Sequence, residues 1–266
     1  MKDIHLSISI VIYELDETML RQCLNALEAA LIPCLLTKRL SNWSLTIIDN
    51  GNNGELLLPF HSDNTDVIEN AENVGYGAAH NQSIMSETSD FHLILNPDVI
   101  LDPEYFSQTL GFMSSQSDVV LAGPKGMTEN GSNAYLCKRY PSLAVFLARG
   151  LNWGRVSTLF SQHLARYEYH DLPELSFSDV ELLSGCCMFA STNALQRAGG
   201  FDDHFFLYFE DFDLSLRMKA EGRVVFLPAS SIVHLGGNSA TKGLHHIRLF
   251  VQSGLRFFRK HGWKII

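Results

Sequence analysis

Apolar and polar residues alternate along the first half of the chain in blocks that predict strands separated by helices. Residues 6–13, LSISIVIY, predict a buried strand, and leucines at helical spacing predict a helix after it that ends at Pro33. Further strands are predicted at residues 45–48, near residue 70, at 91–95 and at 119–122. Because helical patterns separate these strands, the sequence predicts an α/β fold with a parallel, doubly wound sheet.

Local signals place the remaining elements. A glycine turn within residues 73–84, NVGYGAAHNQSI, opens one predicted helix, and another begins near Pro103. The alternation then breaks, and residues 142–160 are apolar with scattered arginines, which predicts one or two short amphipathic helices as an insertion. A strand is predicted at residues 180–190.

The stretch from Gly199 to Arg217, GGFDDHFFLYFEDFDLSLR, is dense in acidic and aromatic residues. Its second half predicts a helix that Gly222 ends, with Glu210 and Asp211 at the helix N-terminus. The simpler interpretation is that these two carboxylates cap the helix. However, the aromatic run just before them would exclude water, which raises the basicity of a carboxylate and prepares it for proton transfer. Both interpretations remain open on the sequence alone.

The charge of the chain is unevenly distributed. The 266 residues carry a formal net charge of −9, yet residues 242–266 contain Lys and Arg but no Asp or Glu. The acidic balance of the rest excludes nucleic acid as the main partner. The basic segment 245–263 also has an apolar face, so it predicts a C-terminal amphipathic helix that either docks on the domain or lies on an anionic membrane.

Composition predicts a cytoplasmic protein. No window reaches the uninterrupted apolar length of a membrane-spanning helix, and the first residues carry Asp3 and run straight into a strand, unlike a signal peptide. The five cysteines lack the paired spacing of metal ligands, and the adjacent pair cannot easily form a disulfide. We therefore expect reduced thiols.

Polar residues follow the predicted strands, and ligands of open α/β sheets bind beyond the carboxyl ends of the strands. Each of these residues alone could belong to an ordinary turn, but together they indicate one crevice. They are Tyr13 and Glu14, Asp49 and Asn50, Asn73 with Gly75, Asn96-Pro97-Asp98, and His234.

The chemistry of three of these side chains suits a nucleoside diphosphate. Asp49 can accept a hydrogen bond from the imide N–H of uracil or thymine, and Asp98 is a hard oxygen ligand suited to Mg²⁺ or Mn²⁺ bridging a diphosphate. His234 could complete that metal site, although a lone histidine at a strand end is more often structural. The G-x-G-x-x-G of dinucleotide-binding dehydrogenases, a P-loop and a G-x-S-x-G element are all missing.

Seven segments taken in order resemble the bacterial glycosyltransferase family 2, and within it the rhamnosyltransferases of O-antigen and related surface polysaccharides. They are SIVIYE, IIDNG, NVGYGAAHN, LILNPD, SGCCMF, GGFDDHFFLYFEDFDLSLR and IVHLGGNS, and the resemblance covers roughly residues 7–240. The resemblance implies a GT-A fold and an inverting transfer from a nucleotide sugar. It also implies one domain over residues 1–266, with a nucleotide-binding half to about residue 125, an acceptor half to 240, and the C-terminal helix.

The resemblance also implies roles for individual residues. Asp211 falls where the family keeps its catalytic base, with Glu210 beside it, and Asp98 falls in the metal-binding D-x-D position, with His234 as a metal or diphosphate contact. Nucleotide binding is implied for Tyr13, Glu14, Asp49, Asn73, Gly75 and Asn96.

Three departures from the family pattern affect these expectations. Asn96 replaces the first Asp of D-x-D, which lowers the expected metal affinity, and Ser191-Thr192 stand where many relatives have arginines that contact the acceptor. The Q-x-x-R-W signature of processive synthases is missing, so we expect one sugar per encounter.

The resemblance favours L-rhamnose from dTDP-rhamnose as the sugar and a glycan or polyprenyl-diphosphate-linked acceptor. Alternatives that remain open are a hexosyl or galactofuranosyl transferase that uses a UDP-sugar, and a catalytically inactive homologue that only binds. A nucleotidyltransferase would need a Gly-rich, basic loop after the first strand, and that loop is missing.

Overall fold

A computed structural model of the chain describes residues 3–150, 161–236 and 243–264, with only the helical backbone for residues 147–150. The strands are β1 His5–Ile12, β2 Asn42–Asp49, β3 Thr65–Glu69, β4 Phe91–Leu95, β5 Val99–Leu101, β6 Val119–Thr128, β7 Cys137–Lys138, β8 Ser178–Asp179, β9 Leu182–Leu183, β10 Cys187–Ser191 and β11 Arg223–His234. The α-helices are α1 Glu17–Leu36, α2 Tyr76–Ile84, α3 Tyr105–Ser115, α4 Leu143–Gly150, α5 Ser161–Tyr167, α6 Thr192–Arg197, α7 Glu210–Met218 and α8 Leu244–His261, and a 3₁₀ helix spans Gly54–Phe60.

Within the described ranges, nine strands form one sheet in the order β3-β2-β1-β4-β10-β6-β11-β5, with β8 beside β11. β1 pairs in parallel with β2 and β4, and β6 pairs in parallel with β11, whereas β10 runs antiparallel between β4 and β6. The predicted mostly parallel, doubly wound α/β sheet is therefore confirmed. Because β10 runs the other way, its first residue lies at the edge where β1, β2 and β4 end.

Three predicted boundaries were wrong. Pro33 does not end α1; it lies in the last turn, which the buried Leu31 and Cys34 hold against the sheet. α7 ends at Met218, and Gly222 serves instead to let the chain pass the carbonyl of Asp118, since an added Cβ would lie 2.6 Å from that oxygen. The predicted strand 180–190 is instead two short strands, β9 and β10, separated by residues 184–186.

The insertion predicted at residues 142–160 begins with a helix, as expected, because α4 covers Leu143–Gly150. Residues 151–160 lie outside the described residues. The next helix, α5, begins at Ser161.

One helix among the described residues, α1, is long and apolar enough to cross a membrane by length and composition, which corrects the expectation that no segment would be. Its buried residues Leu20, Cys23, Leu27 and Leu31 belong to the main apolar core. Core helices of globular domains pass the same test, so we interpret α1 as a helix that covers one face of the sheet.

The core has two layers and an aromatic extension. α1 and α3 cover one face of the sheet, and α2, α6 and α7 cover the other. A separate cluster joins α4, α8 and the loop before α7 through Phe146, Phe205, Phe209, Phe257 and Phe258. The phenyl rings meet edge to face or tilted, for example Phe209 and Phe257 at 5.3 Å between centroids. This aromatic cluster fixes the position at which α7 begins.

The C-terminal helix α8 docks on the domain through one face. Phe257 and Phe258 are fully buried, and the Ser253 hydroxyl donates to the carbonyl of Leu207 at 2.7 Å. Asp213 of α7 is 0 % exposed and contacts Lys260 at 2.6 Å and His261 at 2.7 Å, both on α8. The sequence left open whether this helix docks on the domain or lies on a membrane. The structure shows that its inner face docks on the domain.

The buried Asp213 is fully compensated by cations. Arg217, one helical turn on, lies with its Nε 2.7 Å from Oδ2 of Asp213. Burial alone works against the charge, but hydrogen bonds from Lys260, His261 and Arg217 hold the pKa of Asp213 below its ordinary value. Removing one partner of such a buried cluster is strongly destabilising, so α7 and α8 depend on each other.

A chain of buried hydrogen bonds joins the polar face of β1 to two histidines. Ser7 Oγ lies 2.6 Å from Nδ1 of His92, and Ser9 Oγ lies 2.8 Å from its Nε2. The same Ser9 hydroxyl lies 2.7 Å from Nδ1 of His80. Burial lowers the pKa of His92 to about 3 and that of His80 well below its ordinary value. Both imidazoles are therefore neutral in the folded protein.

These histidines predict a loss of stability in mild acid. In the unfolded chain each imidazole takes up a proton near pH 6.5, whereas folded His92 does so only near pH 3. The free energy of unfolding therefore falls as pH drops below 6.5, by about 1.4 kcal/mol per pH unit for each histidine. Urea unfolding between pH 7.5 and 5 should show a shallower pH dependence for His92→Gln, whose amide can still bond both serines.

The matched control is His61→Gln, because the side chain of His61 is exposed. This variant should keep the wild-type slope. Equal slopes for wild type and His92→Gln would contradict a neutral buried His92.

Candidate active site

The sheet brings most of the predicted site residues to one edge. Asp49 ends β2 opposite Ile12, Leu95 of β4 pairs with Ile10, and Cys187 begins β10 opposite Leu95. The segments after β1, β2 and β4 therefore meet the segment just before β10. The predicted crevice lies along this edge.

Asp49 lies at the end of β2, as predicted, but its carboxylate accepts hydrogen bonds from the loop that follows it. Oδ1 accepts from the backbone N–H of Gly51 and the side chain of Asn53, and Oδ2 accepts from the backbone N–H of Asn53 and Gly54, at 2.6–3.0 Å. These four bonds fill the acceptor sites of a carboxylate. Contact with a nucleobase imide stays a prediction, and it would require the loop to release one of these bonds.

Asn50, the next residue of this loop, connects the end of β2 to the turn before α2 through hydrogen bonds. Its Nδ2 donates to the carbonyl of Gly75 at 3.0 Å, and its Oδ1 accepts from Asn70 at 2.8 Å. Gly75 has a φ of 93°, and an added Cβ would lie 2.6 Å from the carbonyl oxygen of Phe206. Only glycine fits this turn. Asn73 shapes the same turn, because its Oδ1 accepts from the N–H of Gly75 at 2.9 Å.

Tyr13 and Glu14 follow β1 at the rim of the crevice. The Tyr13 side chain is 57 % exposed, and Glu14 is exposed as well. Both are open to a ligand, and their role in nucleotide binding stays a prediction.

Asp98 and His234 form the one predicted pair with unused ligand atoms. Oδ2 of Asp98 lies 3.3 Å from Nε2 of His234, without hydrogen-bond alignment, and Oδ1 of Asp98 is buried without a partner among the described residues. The backbone of Gly236 approaches so closely that an added Cβ would lie 1.6 Å from Asp98 Oδ2. The Gly236 backbone thus packs against Oδ2, while Oδ1 is buried and has no hydrogen-bond partner among the described residues.

These residues fit a divalent cation only together with a diphosphate. Among the described residues, no group of three or more His, Cys, Asp or Glu side chains could hold a metal ion. Mg²⁺ and Mn²⁺ are commonly held by one or two protein ligands, with substrate phosphate oxygens and water completing the shell. The unpaired Oδ1 of Asp98 and Nε2 of His234 suit that arrangement.

Glu210 and Asp211 begin α7 after two residues in the left-handed region, Tyr208 at φ 70° and Phe209 at φ 66°. Glu210 is 6 % exposed, and its Oε2 has no hydrogen-bond partner among the described residues. Burial, with a further contribution from Asp211, raises the pKa of Glu210 well above its ordinary value. The aromatic run thus removes water from Glu210, which favours its protonated form.

Asp211 has a different environment. It is partly exposed, its Oδ2 accepts from the backbone N–H of Gly185 at 2.9 Å, and its Oδ1 accepts from the N–H of Phe212 at 2.8 Å. Backbone N–H donors are the partners that a carboxylate anion prefers. Both carboxyl groups border a cavity of about 170 Å³, which Lys138, Tyr208 and Phe250 also line.

Sequence reasoning missed Tyr76, the side chain that links these groups. Its hydroxyl lies 2.7 Å from the carbonyl oxygen of Gly185 and 3.0 Å from Oδ1 of Asn96. Glu210, Asp211 and Asp98 all lie near this hydroxyl, so the donor and base sides of the crevice meet there. The available signal was a large polar aromatic residue between Gly75 and Gly77, where the turn itself needs only small ones.

Ser191 and Thr192 lie at the opposite edge of the sheet. Ser191 pairs with Phe91, at the start of β4, and its side chain caps α6. Thr192 bonds Ser89 through its hydroxyl at 2.9 Å. An acceptor contact at this position, which the sequence left in doubt, is therefore incompatible with transfer at the edge that carries Asp211.

Comparisons with known proteins agree with this geometry. The family model "Glycosyltransferase like family 2" matches residues 60–246. "N-acetylglucosaminyl-diphospho-decaprenol L-rhamnosyltransferase" of Mycobacterium tuberculosis is 27% identical over 218 residues, which cover 75% of this chain and 69% of the relative. "Rhamnosyltransferase WbbL" of Escherichia coli is 25% identical over 178 residues, which cover 60% of this chain and 61% of the relative.

Two solved structures share the fold. GalNAc-T7, crystallised with UDP, GalNAc and Mn²⁺, has a TM-score of 0.63 at 12% identity, over 88% of this chain and 44% of its own. Residues 1–349 of S. aureus TarS give a TM-score of 0.58 at 13% identity, over 97% of this chain and 73% of that one. At these identities they show the fold alone, and they confirm the expected GT-A arrangement.

The unpaired ligand atoms predict that Asp98 carries metal-dependent nucleotide binding. Asp98→Asn keeps the shape but replaces the carboxylate by a neutral amide. We expect the Mn²⁺-dependent gain in UDP or dTDP affinity to fall by about tenfold or more, a usual cost of disturbing a metal site. Calorimetric titration with and without Mn²⁺ measures it.

The control is Asp63→Asn, an exposed carboxylate in the loop before β3. It should bind nucleotide as the wild type does, and both variants should unfold close to the wild-type temperature. Unchanged metal dependence in Asp98→Asn would refute the assignment.

Proposed function

The chain belongs to the glycosyltransferase-like family 2, and from this membership we propose that it transfers a sugar from a nucleoside diphosphate sugar to a hydroxyl group of a glycan or lipid-linked acceptor. The observation that carries the proposal is that one edge of the sheet holds both potential metal ligands and a carboxylate. Asp98 and His234 present unused ligand atoms on one side, and the carboxylate of Asp211 is held by backbone donors on the other. A leaving diphosphate and an attacking hydroxyl need these two groups.

The names of the relatives support a choice of substrates. Both curated relatives cited above are rhamnosyltransferases, and one acts on a decaprenyl diphosphate-linked sugar by its name. We therefore propose L-rhamnose from dTDP-rhamnose as the sugar and a polyprenyl-diphosphate-linked glycan as the acceptor. A UDP-sugar donor remains the alternative, because the imide edge of the base is the same in uracil and thymine.

Asp211 is the proposed base because burial disfavours the anionic form of Glu210. Burial, with a further contribution from Asp211, raises the pKa of Glu210 well above its ordinary value. Asp211 is partly exposed and borders the cavity. Removing the proton from the attacking hydroxyl in the transition state contributes roughly 10²–10⁴-fold to the rate. Attack opposite the diphosphate inverts the anomeric centre, and no covalent intermediate is needed.

The donor side is proposed to use Asp98 and His234 to hold Mg²⁺ or Mn²⁺ with the diphosphate. The cation, when bound, offsets the charge that develops on the leaving group. Asn73 and Gly75 shape the turn that faces the nucleotide, and Asn50 keeps that turn against the end of β2. These contacts fix the pocket before the donor arrives.

The outer face of α8 supports a membrane-side location. We define this face by the exposed apolar residues Leu244, Ile247 and Val251 and the exposed cations Arg248, Arg256 and Arg259. None of the three arginines forms an ion pair with a carboxylate in the part of the chain that the structure describes. An apolar strip beside unpaired cations suits the anionic inner leaflet, where a lipid-linked acceptor is found.

The same helix borders the cavity that holds the base. Phe250 of α8 lines the cavity with Glu210 and Asp211, and His246 Nδ1 lies 3.0 Å from the Tyr208 hydroxyl. A protein lying on its α8 outer face would therefore hold this cavity near the bilayer. Lys260, another cation of α8, does not belong to this face, because it contacts Asp202 at 2.7 Å and Asp213 at 2.6 Å.

The two carboxyl groups predict different effects of neutral replacements on turnover. Asp211→Asn removes the base but not the shape, so we expect near-wild-type nucleotide affinity and a turnover lower by about a hundredfold or more. Glu210→Gln resembles the protonated acid and should lose far less. Initial rates of sugar transfer at saturating donor measure both, and each variant is the control for the other.

Unfolding measurements give an independent readout for Glu210. Its folded pKa lies above the 4.5 of the unfolded chain, so folding is penalised increasingly as pH rises above 4.5. Glu210→Gln should therefore gain stability relative to the wild type between pH 5 and 8. Normal turnover in Asp211→Asn with an inactive Glu210→Gln would reverse the roles, and normal turnover in both would remove the general-base mechanism.

Vesicle binding tests the outer face of α8. We expect the wild type to sediment with vesicles containing phosphatidylglycerol, less so in high salt, and not with phosphatidylcholine alone. The triple change Arg248→Gln, Arg256→Gln and Arg259→Gln should abolish binding while transfer to a soluble acceptor continues. Lys38→Gln, Arg39→Gln and Lys219→Gln remove the same charge from exposed sites elsewhere and should leave binding intact. Equal binding by both triple variants would refute the membrane contact.

A further inference from the structure

The hydroxyl group of Tyr76 connects the donor side of the crevice to the base. We propose that Tyr76 is a positioning residue that holds Asp211 through Gly185, and that residue 96 is an amide because this link requires one. The inference rests on the proposed function of Asp211, and it assigns roles that the family resemblance did not give to Tyr76 or Asn96.

Counting protons at the Tyr76 hydroxyl shows why the amide matters. The hydroxyl has one proton, yet two oxygens lie near it, the Gly185 carbonyl at 2.7 Å and Asn96 Oδ1 at 3.0 Å. The carbonyl can only accept, so it takes the proton. The carboxamide of Asn96 can present its Nδ2 instead, since the two orientations of an amide have the same shape. Asn96 then donates to the Tyr76 oxygen, and the two oxygens no longer compete for one proton.

Gly185 passes this constraint on to the base. Its carbonyl accepts from Tyr76, and its N–H donates to Oδ2 of Asp211 at 2.9 Å. An added Cβ would lie 3.2 Å from the Cβ of Asp211 and 3.4 Å from Cε1 of Tyr76, so the backbone sits tightly between the two side chains. The N–H and the carbonyl of Gly185 belong to successive peptide units that are joined at its Cα. Hydrogen bonds on both units limit rotation about the φ and ψ of Gly185 and keep its N–H aimed at Asp211.

Tyr76 is itself rigidly placed. Its N–H donates to the carbonyl of Phe206 at 3.0 Å, and its ring lies edge-on to His80 at 4.5 Å and to Phe201 at 5.9 Å between centroids. Burial raises the pKa of Tyr76 well above its ordinary value, so the hydroxyl keeps its proton. The Tyr76 hydroxyl is therefore a hydrogen-bond donor in a fixed position.

This arrangement explains why residue 96 is an asparagine rather than an aspartate. An aspartate at position 96 can only accept, so it would compete with the Gly185 carbonyl for the single Tyr76 proton. The backbone N–H of Asn96 donates to the carbonyl of Cys186 at 2.8 Å, which keeps residue 96 beside Gly185. The departure from D-x-D at Asn96 thus maintains a hydrogen bond, and Asp98 is left as the acidic metal ligand.

The experiment is a double-mutant cycle between Tyr76→Phe and Asp211→Asn, read as turnover at saturating donor together with nucleotide affinity. Tyr76→Phe alone should lower turnover by about tenfold, as expected for a lost hydrogen bond that matters in the transition state, and leave nucleotide affinity within about twofold. In the Asp211→Asn background the same change should have no further effect, because Tyr76 acts only by holding that carboxylate.

Tyr105→Phe is the matched control. It also removes a buried tyrosine hydroxyl, one that lies 3.3 Å from the sulfur of Cys187 in the main core. It should lower the unfolding temperature about as much as Tyr76→Phe does while turnover stays at the wild-type level. Turnover losses of equal size from Tyr76→Phe in both backgrounds, or from both tyrosine variants, would show a general structural effect and overturn the proposal.

Asn96→Asp separates the amide role from a weakened metal ligand. The proposal expects turnover to fall at saturating Mn²⁺, with nucleotide affinity unchanged or higher. Turnover at or above the wild-type level would show that residue 96 serves the metal alone. Absence of transfer by the wild type with any donor would defeat the proposed function instead, so the two failures are distinct.

Discussion

The antiparallel insertion of β10 into a mostly parallel sheet is the constraint on which the site depends. In a fully parallel sheet, the segment before β10 would lie at the far edge, away from the ends of β1, β2 and β4. Because β10 is reversed, Gly185 and Cys186 arrive beside Asn96, which donates its N–H to the carbonyl of Cys186. Backbone N–H groups of Gly185 and Phe212 then help to orient Asp211, and a low-dielectric edge makes such fixed dipoles effective.

Burial divides the roles of two neighbouring carboxyl groups. Side chains one residue apart on a helix diverge by about 100°, so Glu210 enters the aromatic cluster while Asp211 faces Gly185. The turn that aims them uses two aromatic residues at positive φ, Tyr208 and Phe209. Such conformations cost about 1–3 kcal/mol each and persist only where surrounding contacts over-determine them. The packing of Phe209 against Phe146 and Phe257 supplies those contacts.

The C-terminal helix has two functions on its two faces. The inner face completes the aromatic cluster and places Lys260 and His261 against Asp213, so α8 stabilises the first turn of α7, which also carries Asp211. The outer face leaves arginines and apolar residues in solvent. The same helix α8 thus helps to hold Asp211 in place and carries the proposed membrane-binding surface. This arrangement explains how a chain with an acidic balance could approach an anionic surface through one segment only.

Local patterns in the sequence determined much of the fold. The apolar runs of β1, β2 and β4, the glycine turn before α2, and the position of Glu210 and Asp211 at the start of α7 follow from residues near one another in the chain. Hydrophobic periodicity, turn chemistry and helix starts are local properties, which is why they can be predicted. The boundaries at Pro33, Gly222 and residues 180–190 were wrong because packing against distant strands decided them.

Side-chain partners were decided only by the tertiary structure. Asp49 turns into its own loop, Lys260 joins Asp213 from 47 residues away, and Tyr76 bonds Gly185 from 109 residues away. A sequence shows which groups can donate or accept, but not which of them the fold will bring within 3 Å. The identity of the candidate residues was therefore in the sequence. The raised pKa of Glu210, the four hydrogen bonds to Asp49 and the link through Tyr76 depend instead on burial and distance, which exist only once the chain is folded.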